Sequence, residues 1–437
     1  MQTILLVFFD LLGLRKKLYF ATKQNFPFGN WYMKYYIIAG EASGDLHGSN
    51  LIKQIKLLDA SANIRCWGGD LMQAQNVALV KHYKDLAFMG FAEVVKNLPT
   101  ILQNIKFCKQ DILSFQPDVL VLIDYPGFNL RIAKWANKVR STKNEIRNMK
   151  YEIRNTKYGI QNMKNEIKNQ KNLQPATKIV YYIAPQVWAW KENRVNAMKK
   201  NIDKLICILP FEKNYFKTKW NWDVEYVGHP LVEEIDNFKK SQTTNSKPEQ
   251  KIIALLPGSR KQEILKKLPV MLQATKYFPD YNFIVAKAPG QDDEFYKPFL
   301  LPYQNVQSVR NQTYHLLLKS TAALVTSGTA TLETALFGVP EVVCYKGSNI
   351  SYQIAKRLIK IKFISLVNLI MNKLVVTELI QHDMNTKNIV KELSELLNNS
   401  QRQQQLQKDY AGLKNILLAN GNASVNAAKI VVDLKKF

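Results

Sequence analysis

A chain of 437 residues, 46% of them apolar, is too long for one ordinary core and is expected to fold as two domains. Lys and Arg number 61 against 35 Asp and Glu, a formal charge of +26, which calls for an anionic partner: nucleic acid, a phosphorylated substrate or an acidic membrane face. The four cysteines (Cys66, Cys108, Cys207, Cys344) are scattered, with no Cys-x-x-Cys pair and no nearby His cluster, so neither a zinc site nor a disulfide framework is indicated and a reducing compartment is the simple reading.

At the amino terminus, the apolar stretch Thr3–Leu14 is short, is broken by Asp10 and has no basic residue ahead of it. It fails both as a spanning helix and as a secretory signal. Met33 directly precedes the first clear strand, so residues 1–32 read as an N-terminal extension or a mis-assigned start, with a membrane-surface anchor as the less favoured role. From Lys34 short apolar runs alternate with amphipathic stretches: YYIIA then NLIKQIKLL, DVLVLID then NLRIAKWANK, KIVYYIA then ENRVNAMKK, then KLICIL and VEYVG. Near-continuous apolar strands alternating with helices predict a parallel sheet covered on both faces.

Between the first strand and helix lies AGEASGDLHGS, residues 39–49. Strand, glycine loop and helix are how many phosphate sites begin, but the glycine spacing is not a dinucleotide fingerprint, and Glu41 and Asp45 stand where a phosphate would sit. Asp45 at the helix start answers the dipole itself, which makes this loop a poor place for a nucleotide. FAEVVKNLPTILQNIKF (residues 91–107) is apolar and threaded with Lys; it reads as amphipathic packing or as contact with an anionic bilayer.

VLVLIDYPGFN ends a wholly apolar strand with Asp124 at its carboxyl edge, where α/β sheets place ligands. Asn129 stands closer to the next helix and can cap it, which leaves Asp124 free as a general base whose pKa burial would raise. Residues 144–171 are four near-identical heptads with Ile at 146, 153, 160 and 167. A one-stripe helix or weak coiled coil is open to them, but an expanded surface loop is the stronger reading. Residues 143–171 hold eight Lys and Arg against three Glu, so most of the basic excess belongs to the folded domains. In YYIAPQVWAWKENR, Trp188 and Trp190 read equally as core packing or as platforms for a sugar or acyl chain.

After the polar stretch Lys239–Lys251 the alternation restarts with IIALL, QEILKKLPVMLQATKYF, YNFIVAKA, AALVTSG, TLETALFG and EVVCY, which predicts a second doubly wound half. LLPGSRKQE places Gly258 and Ser259 at a strand end, with Ser259 and Gln262 spaced as a capping box. Arg260 and Lys261 would then oppose the helix dipole, a sign that a bound diphosphate reverses. SGTATLE repeats the geometry at Ser327-Gly328-Thr329, with Glu333 one turn deeper on the same helix face, where it could accept bonds from two ribose hydroxyls. SYQIAKRLIKIKFISLVNLIMNK (351–373) is a second apolar stretch threaded with Lys and Arg, read like the first.

Taken together, AGEASGD, GFAEVVKNLP, IDYPGFN, APQVWAW, VGHPL, LLPGSR and SGTATLE, followed by SLVNLI around Asn368, resemble the lipid-A-disaccharide synthase family. The likeness covers the chain from Met33 onward except the heptads. It implies a GT-B fold of two Rossmann-like domains facing a cleft: an acceptor domain (33–240, with an insert at 141–172), a UDP-sugar domain (251–400), and closing helices (401–437), the last crossing back to the first domain. The implied reaction is an inverting transfer from UDP-2,3-diacylglucosamine to 2,3-diacylglucosamine 1-phosphate (lipid X), giving a β(1→6) disaccharide 1-phosphate and UDP. No metal or cofactor is implied, in keeping with the lack of an Asp-x-Asp motif.

Carried over by residue, the resemblance implies Asp124 as base and Gly258, Ser259, Arg260, Ser327, Gly328, Thr329, Glu333 and Asn368 around the donor. Ser43, Gly44 and Asp45 then fall on the acceptor side. Partners would be the two lipid substrates and the anionic inner-membrane surface, met peripherally from the cytoplasm by a monomer or homodimer, with no nucleic acid. Another GT-B enzyme acting on UDP-N-acetylglucosamine, a peptidoglycan-precursor transferase or a 2-epimerase, is the nearest alternative. A nucleic-acid binder is the non-enzymatic one, and no helix-turn-helix, zinc-knuckle or aromatic RNA-binding motif supports it.

Overall fold

The computed structural model describes residues 32–86, 98–155, 177–242, 251–347 and 362–434. The extension, the stretch 87–97, the second half of the heptads and most of the basic-apolar stretch at 351–361 lie outside the described residues.

Two parallel sheets organise the chain. The first takes β1 (Lys34–Ala39), β2 (Asn63–Gly68), β3 (Ala78–His82), β4 (Val119–Ile123), β5 (Lys178–Tyr182), β6 (Lys204–Cys207) and β7 (Glu225–Tyr226) in the order β3-β2-β1-β4-β5-β6-β7. The second takes β8 (Ile252–Leu256), β9 (Asn282–Lys287), β10 (Val306–Arg310), β11 (Ala322–Thr326), β12 (Glu341–Tyr345) and β13 (Thr377–Ile380) in the order β10-β9-β8-β11-β12-β13. Strand direction of winding reverses between β1 and β4 in one sheet and between β8 and β11 in the other. Those two points are where such sheets open a crevice at their carboxyl ends.

The apolar runs follow from burial on both faces. Along β1, Tyr36 and Ile38 join one core and Tyr35, Ile37 and Ala39 the other, all fully buried. The period of two divides one strand between two helical layers, and each fully buried aliphatic contributes about 1.5–3 kcal/mol. The tyrosines tolerate this because their hydroxyls are bonded: Tyr35 to Asp59 at 3.1 Å, Tyr36 to Asp111 at 2.6 Å.

Several local expectations are corrected. Asn129 does not cap: the helix Pro126–Asn155 begins three residues earlier, and the Asn129 amide reaches back to the carbonyls of Ile123 (3.1 Å) and Asp124 (2.8 Å). That helix runs on into the heptads as far as Asn155, so their first part is helix and not loop. Nor do Ser259 and Gln262 form a capping box; Arg260 is the N-cap of the helix Lys261–Thr275, with no side-chain cap bond. Gly258, at φ +119°, turns the chain one residue later than expected and sets Glu263 at the third helical position.

Between the two sheets the chain crosses at Gly228–His229. The helix Pro230–Ser241 sends Leu231, Val232 and Ile235 into the core of the second sheet. Its Phe238 ring packs edge-on against Tyr314 and Phe337. The return crossing follows the helix Ser400–Leu418: the last helix, Ala423–Asp433, puts Ala427, Ala428 and Val431 into a core of the first sheet. The two crossings touch. Asn420 Nδ2 donates to the Tyr226 carbonyl at 2.6 Å, Asn426 Nδ2 to Val227 at 3.2 Å, and a Cβ on Gly228 (φ +93°) would sit 3.0 Å from the Gly421 carbonyl.

Candidate active site

Asp124 follows the last residue of β4, directly across the switch point from the loop that follows β1. It and Tyr125 both hold left-handed backbone, at φ +42° and +49°. Tyrosine adopts that conformation only where neighbours impose it. Here they do: Asp124 N–H donates to Tyr182 at 3.0 Å, and its carbonyl accepts from Tyr181 Oη at 2.6 Å and Asn129 Nδ2 at 2.8 Å. The Tyr125 ring lies over Gly40, where a Cβ would come within 2.2 Å of it, and its hydroxyl donates to Leu86 at 3.1 Å. With its backbone pinned, the Asp124 carboxylate is directed out of the strand end.

Burial, and then the neighbouring Glu41 carboxylate, push the Asp124 pKa up from 3.8 to about 6. Glu41 itself is raised by burial and pulled back by the charge of Arg260. It is the N-cap residue of the helix Ala42–Leu58 yet makes no side-chain cap bond. Glu41 is thus within electrostatic reach of both Asp124 and the Arg260 loop of the other sheet. On sequence it read only as an obstacle to phosphate; an acid one residue beyond the first glycine after β1, at a switch point, was the signal available.

Of the acceptor-side candidates, Ser43 is exposed and Gly44 is buried against Ala39, which its Cβ would meet at 3.1 Å. Asp45 is not on the cleft surface. It is 3% exposed, and its carboxylate accepts from the amides of Gly69 (2.7 Å), Leu71 (3.1 Å) and Met72 (3.0 Å). It caps the short helix Asp70–Gln73 instead of answering its own helix. Trp188 is core-facing, edge-on to Phe211 with its N–H on Glu212 at 3.0 Å, whereas Trp190 is 53% exposed with the Lys191 ammonium 4.2 Å from its ring centre.

The second sheet brings Gly258-Ser259-Arg260 and Ser327-Gly328-Thr329 together, at the ends of the paired strands β8 and β11. Arg260 is largely exposed and 3.6 Å from Glu263. Gly328 (φ +138°) is the N-cap of the helix Thr329–Phe337; among the described residues no side chain caps that helix, and none lies within 4 Å of where a Cβ would stand. The Thr331 amide turns back onto the Gly328 carbonyl at 3.2 Å, and a helix start of this kind suits an anion. Glu333, raised by burial, accepts a bond from Tyr314 Oη at 3.2 Å.

Asn368 is fully buried, and every polar atom of its amide is engaged. Its Oδ1 accepts from Val375 (2.8 Å) and Val376 (2.9 Å), and its Nδ2 donates to the Val376 carbonyl and Glu378, each at 2.9 Å. Glu378 in turn accepts from the amides of Ile364 and Ser365, and the Ile364 carbonyl accepts from Ser327 Oγ at 2.8 Å. Asn368 therefore holds the Ser327 turn through two intermediaries. Glu378 had no signal in the sequence that marked it.

Among the described residues no group of three His, Cys, Asp or Glu is placed to hold a metal ion, and no helix is long and apolar enough to cross a membrane.

The family model described as lipid-A-disaccharide synthetase matches residues 35–151 and 161–432. The chain is similar to lipid-A-disaccharide synthase of Coxiella burnetii strain Dugway 5J108-111, 34% identical over 91% of this chain and 97% of that one. It is likewise similar to that of Geobacter metallireducens, at 32% over 91% and 96%. Among solved structures, UDP-GlcNAc 2-epimerase from Neisseria meningitidis bound to UDP-GlcNAc superposes with a TM-score of 0.59 at 12% identity, covering 93% of this chain and 100% of that one. A glycosyltransferase from Rickettsia africae gives 0.51 at 12%, covering 93% and 98%. Those two likenesses speak to fold, and the fold is of the GT-B type.

Proposed function

Because the chain belongs to the lipid-A-disaccharide synthase family, and is therefore a glycosyltransferase of lipid A biosynthesis, we propose that it transfers diacylglucosamine from UDP-2,3-diacylglucosamine to 2,3-diacylglucosamine 1-phosphate. Asp124 accepts the proton of the acceptor 6-hydroxyl as that oxygen attacks the anomeric carbon. The bond from that carbon to the diphosphate oxygen breaks, inverting the centre, and the electron pair leaves with UDP.

An Asp with a pKa of about 6 is mostly ionised at neutral pH yet more basic than an ordinary carboxylate, which suits a general base. Arg260 and the free amides at Gly328-Thr329 offset the charge growing on the diphosphate, the kind of fixed electrostatic stabilisation that can supply several kcal/mol. Glu333 accepts bonds from the ribose hydroxyls. The first half of the chain presents the acceptor and the second half the donor. The observation that carries this reading is the position of Glu41, whose carboxylate interacts with Asp124 on one side and Arg260 on the other. That shared electrostatic reach supports a base and a nucleotide loop that serve one cleft.

The helix Leu98–Phe115 exposes Leu102 and Leu113 on the face that also carries Lys106 and Lys109. We place peripheral contact with an anionic bilayer on this face. The decisive assay is UDP release with acylated and unacylated donor and acceptor, the product read by mass spectrometry. A disaccharide 1-phosphate formed only from acylated substrates is expected; equal turnover of unacylated UDP-N-acetylglucosamine would sink the assignment.

A further inference from the structure

Glu234 on the helix Pro230–Ser241 and Glu333 on the helix Thr329–Phe337 meet at a single hydroxyl. Tyr314 Oη lies 3.1 Å from Glu234 Oε1 and 3.2 Å from Glu333 Oε1. A phenol has one proton to donate. If both carboxylates were ionised, one contact would bring two lone pairs together at hydrogen-bonding distance, so the arrangement requires a second proton. Glu234 Oε2 is buried with no hydrogen-bond partner, which a neutral acid tolerates and a carboxylate does not. Glu234 is therefore the protonated member: it donates to Tyr314, and Tyr314 donates to Glu333.

We propose that Glu234 is a positioning residue of the donor site, holding through Tyr314 the proton that keeps the Glu333 carboxylate aimed at the ribose. The inference rests on the reading of Glu333 as the ribose acceptor. Burial and the charge of Glu333 set the Glu234 pKa at about 7, within reach of physiological change.

Other charged groups on the surrounding elements are engaged elsewhere. On the same helix Glu233 accepts from Ser424, Asp236 pairs with Lys414 at 2.6 Å, and Lys239 donates to the Leu336 carbonyl. His315, beside Tyr314, packs edge-on to Phe238. Among the described residues no cation acts on the pair, so above neutrality its proton is lost to solvent. Two adjacent carboxylates then repel each other, the Tyr314 hydroxyl is no longer directed to Glu333, and an added negative charge meets an anionic ligand.

The test is the Michaelis constant for donor at saturating acceptor from about pH 6.5 to about pH 8.5, with UDP binding followed in parallel by calorimetry. In the wild type the donor KM should rise roughly tenfold between about pH 7 and about pH 8.5. Glu234→Gln, whose amide donates to Tyr314 at every pH, should flatten that rise to within about twofold. Glu234→Leu should raise KM across the whole range while kcat moves little, and Tyr314→Phe should do the same. A wild-type profile with no such rise, or an unaltered rise in Glu234→Gln, overturns the proposal while leaving the donor site standing. Failure of the wild type to bind UDP overturns the donor-site reading and this inference with it.

Discussion

At the residue scale the site depends on backbone that most side chains avoid. Asp124 and Tyr125 lie in left-handed conformation because Tyr181, Tyr182 and Asn129 leave the Asp124 peptide no other arrangement. The cost is electrostatic too. The folded state raises the Asp124 pKa from 3.8 to about 6, so between those values the native protein binds more protons than the unfolded chain, and stability falls as pH rises through the window. Above it the penalty is constant. Asp124→Asn should therefore cut kcat by about a hundredfold or more while stabilising the fold by about 1–2 kcal/mol at neutral pH. The gain should shrink toward about pH 4, as thermal unfolding of both forms over that range will show. The position of Asp124 at a strand end was legible in the sequence, because an apolar run closed by one acid announces its own carboxyl edge. Its left-handed turn was not, since it depends on tyrosines nearly sixty residues later.

At the element scale, most of the fully buried strands were readable and most of the edge strands were not, with β2 missed inside the first sheet and β7 read at its margin. β1, β4, β8 and β11 are fully buried and appear in the chain as unbroken apolar runs. β3, β10 and β13 lie at edges, half exposed and mixed in polarity, and gave no run to read. Helix starts misled for a related reason. Ser259 and Asn129 are good caps by type, but a cap is decided by where the chain turns, and Gly258 and Asp124 turn it elsewhere.

The same limit applies to Asn368, whose amide joins the helix Leu366–Met371 to the strand β13 and, through Glu378, to the Ser327 turn. Asn368→Ala leaves two amides and a carbonyl without their partner and should cost about 2–4 kcal/mol. Melting temperature and donor affinity should fall together. A variant that loses donor affinity with an unchanged melting temperature would instead show Asn368 in direct contact with substrate.

At the scale of the whole molecule, charge and connectivity carry the consequences. A formal charge of +26, about five units of it from the heptads, underlies the proposed contact with an anionic bilayer. Association with vesicles containing acidic lipid should fall steeply between about 0.05 and about 0.3 M salt. Lys106→Glu with Lys109→Glu on the helix Leu98–Phe115 should weaken it several-fold without altering vesicle-free UDP binding, by co-sedimentation.

The two crossings between the halves have a mechanical meaning. They lie side by side, with Asn420 on Tyr226, Asn426 on Val227, and Gly228 against Gly421. Two chains tied at one place act as a pivot. A rotation of the halves about that point would be a jaw motion with its fulcrum at the glycine pair. Both glycines hold positive φ, +93° and +74°, and present no side chain at the fulcrum. On the proposed function, a lipid still partly seated in a bilayer would enter from the end farthest from that fulcrum.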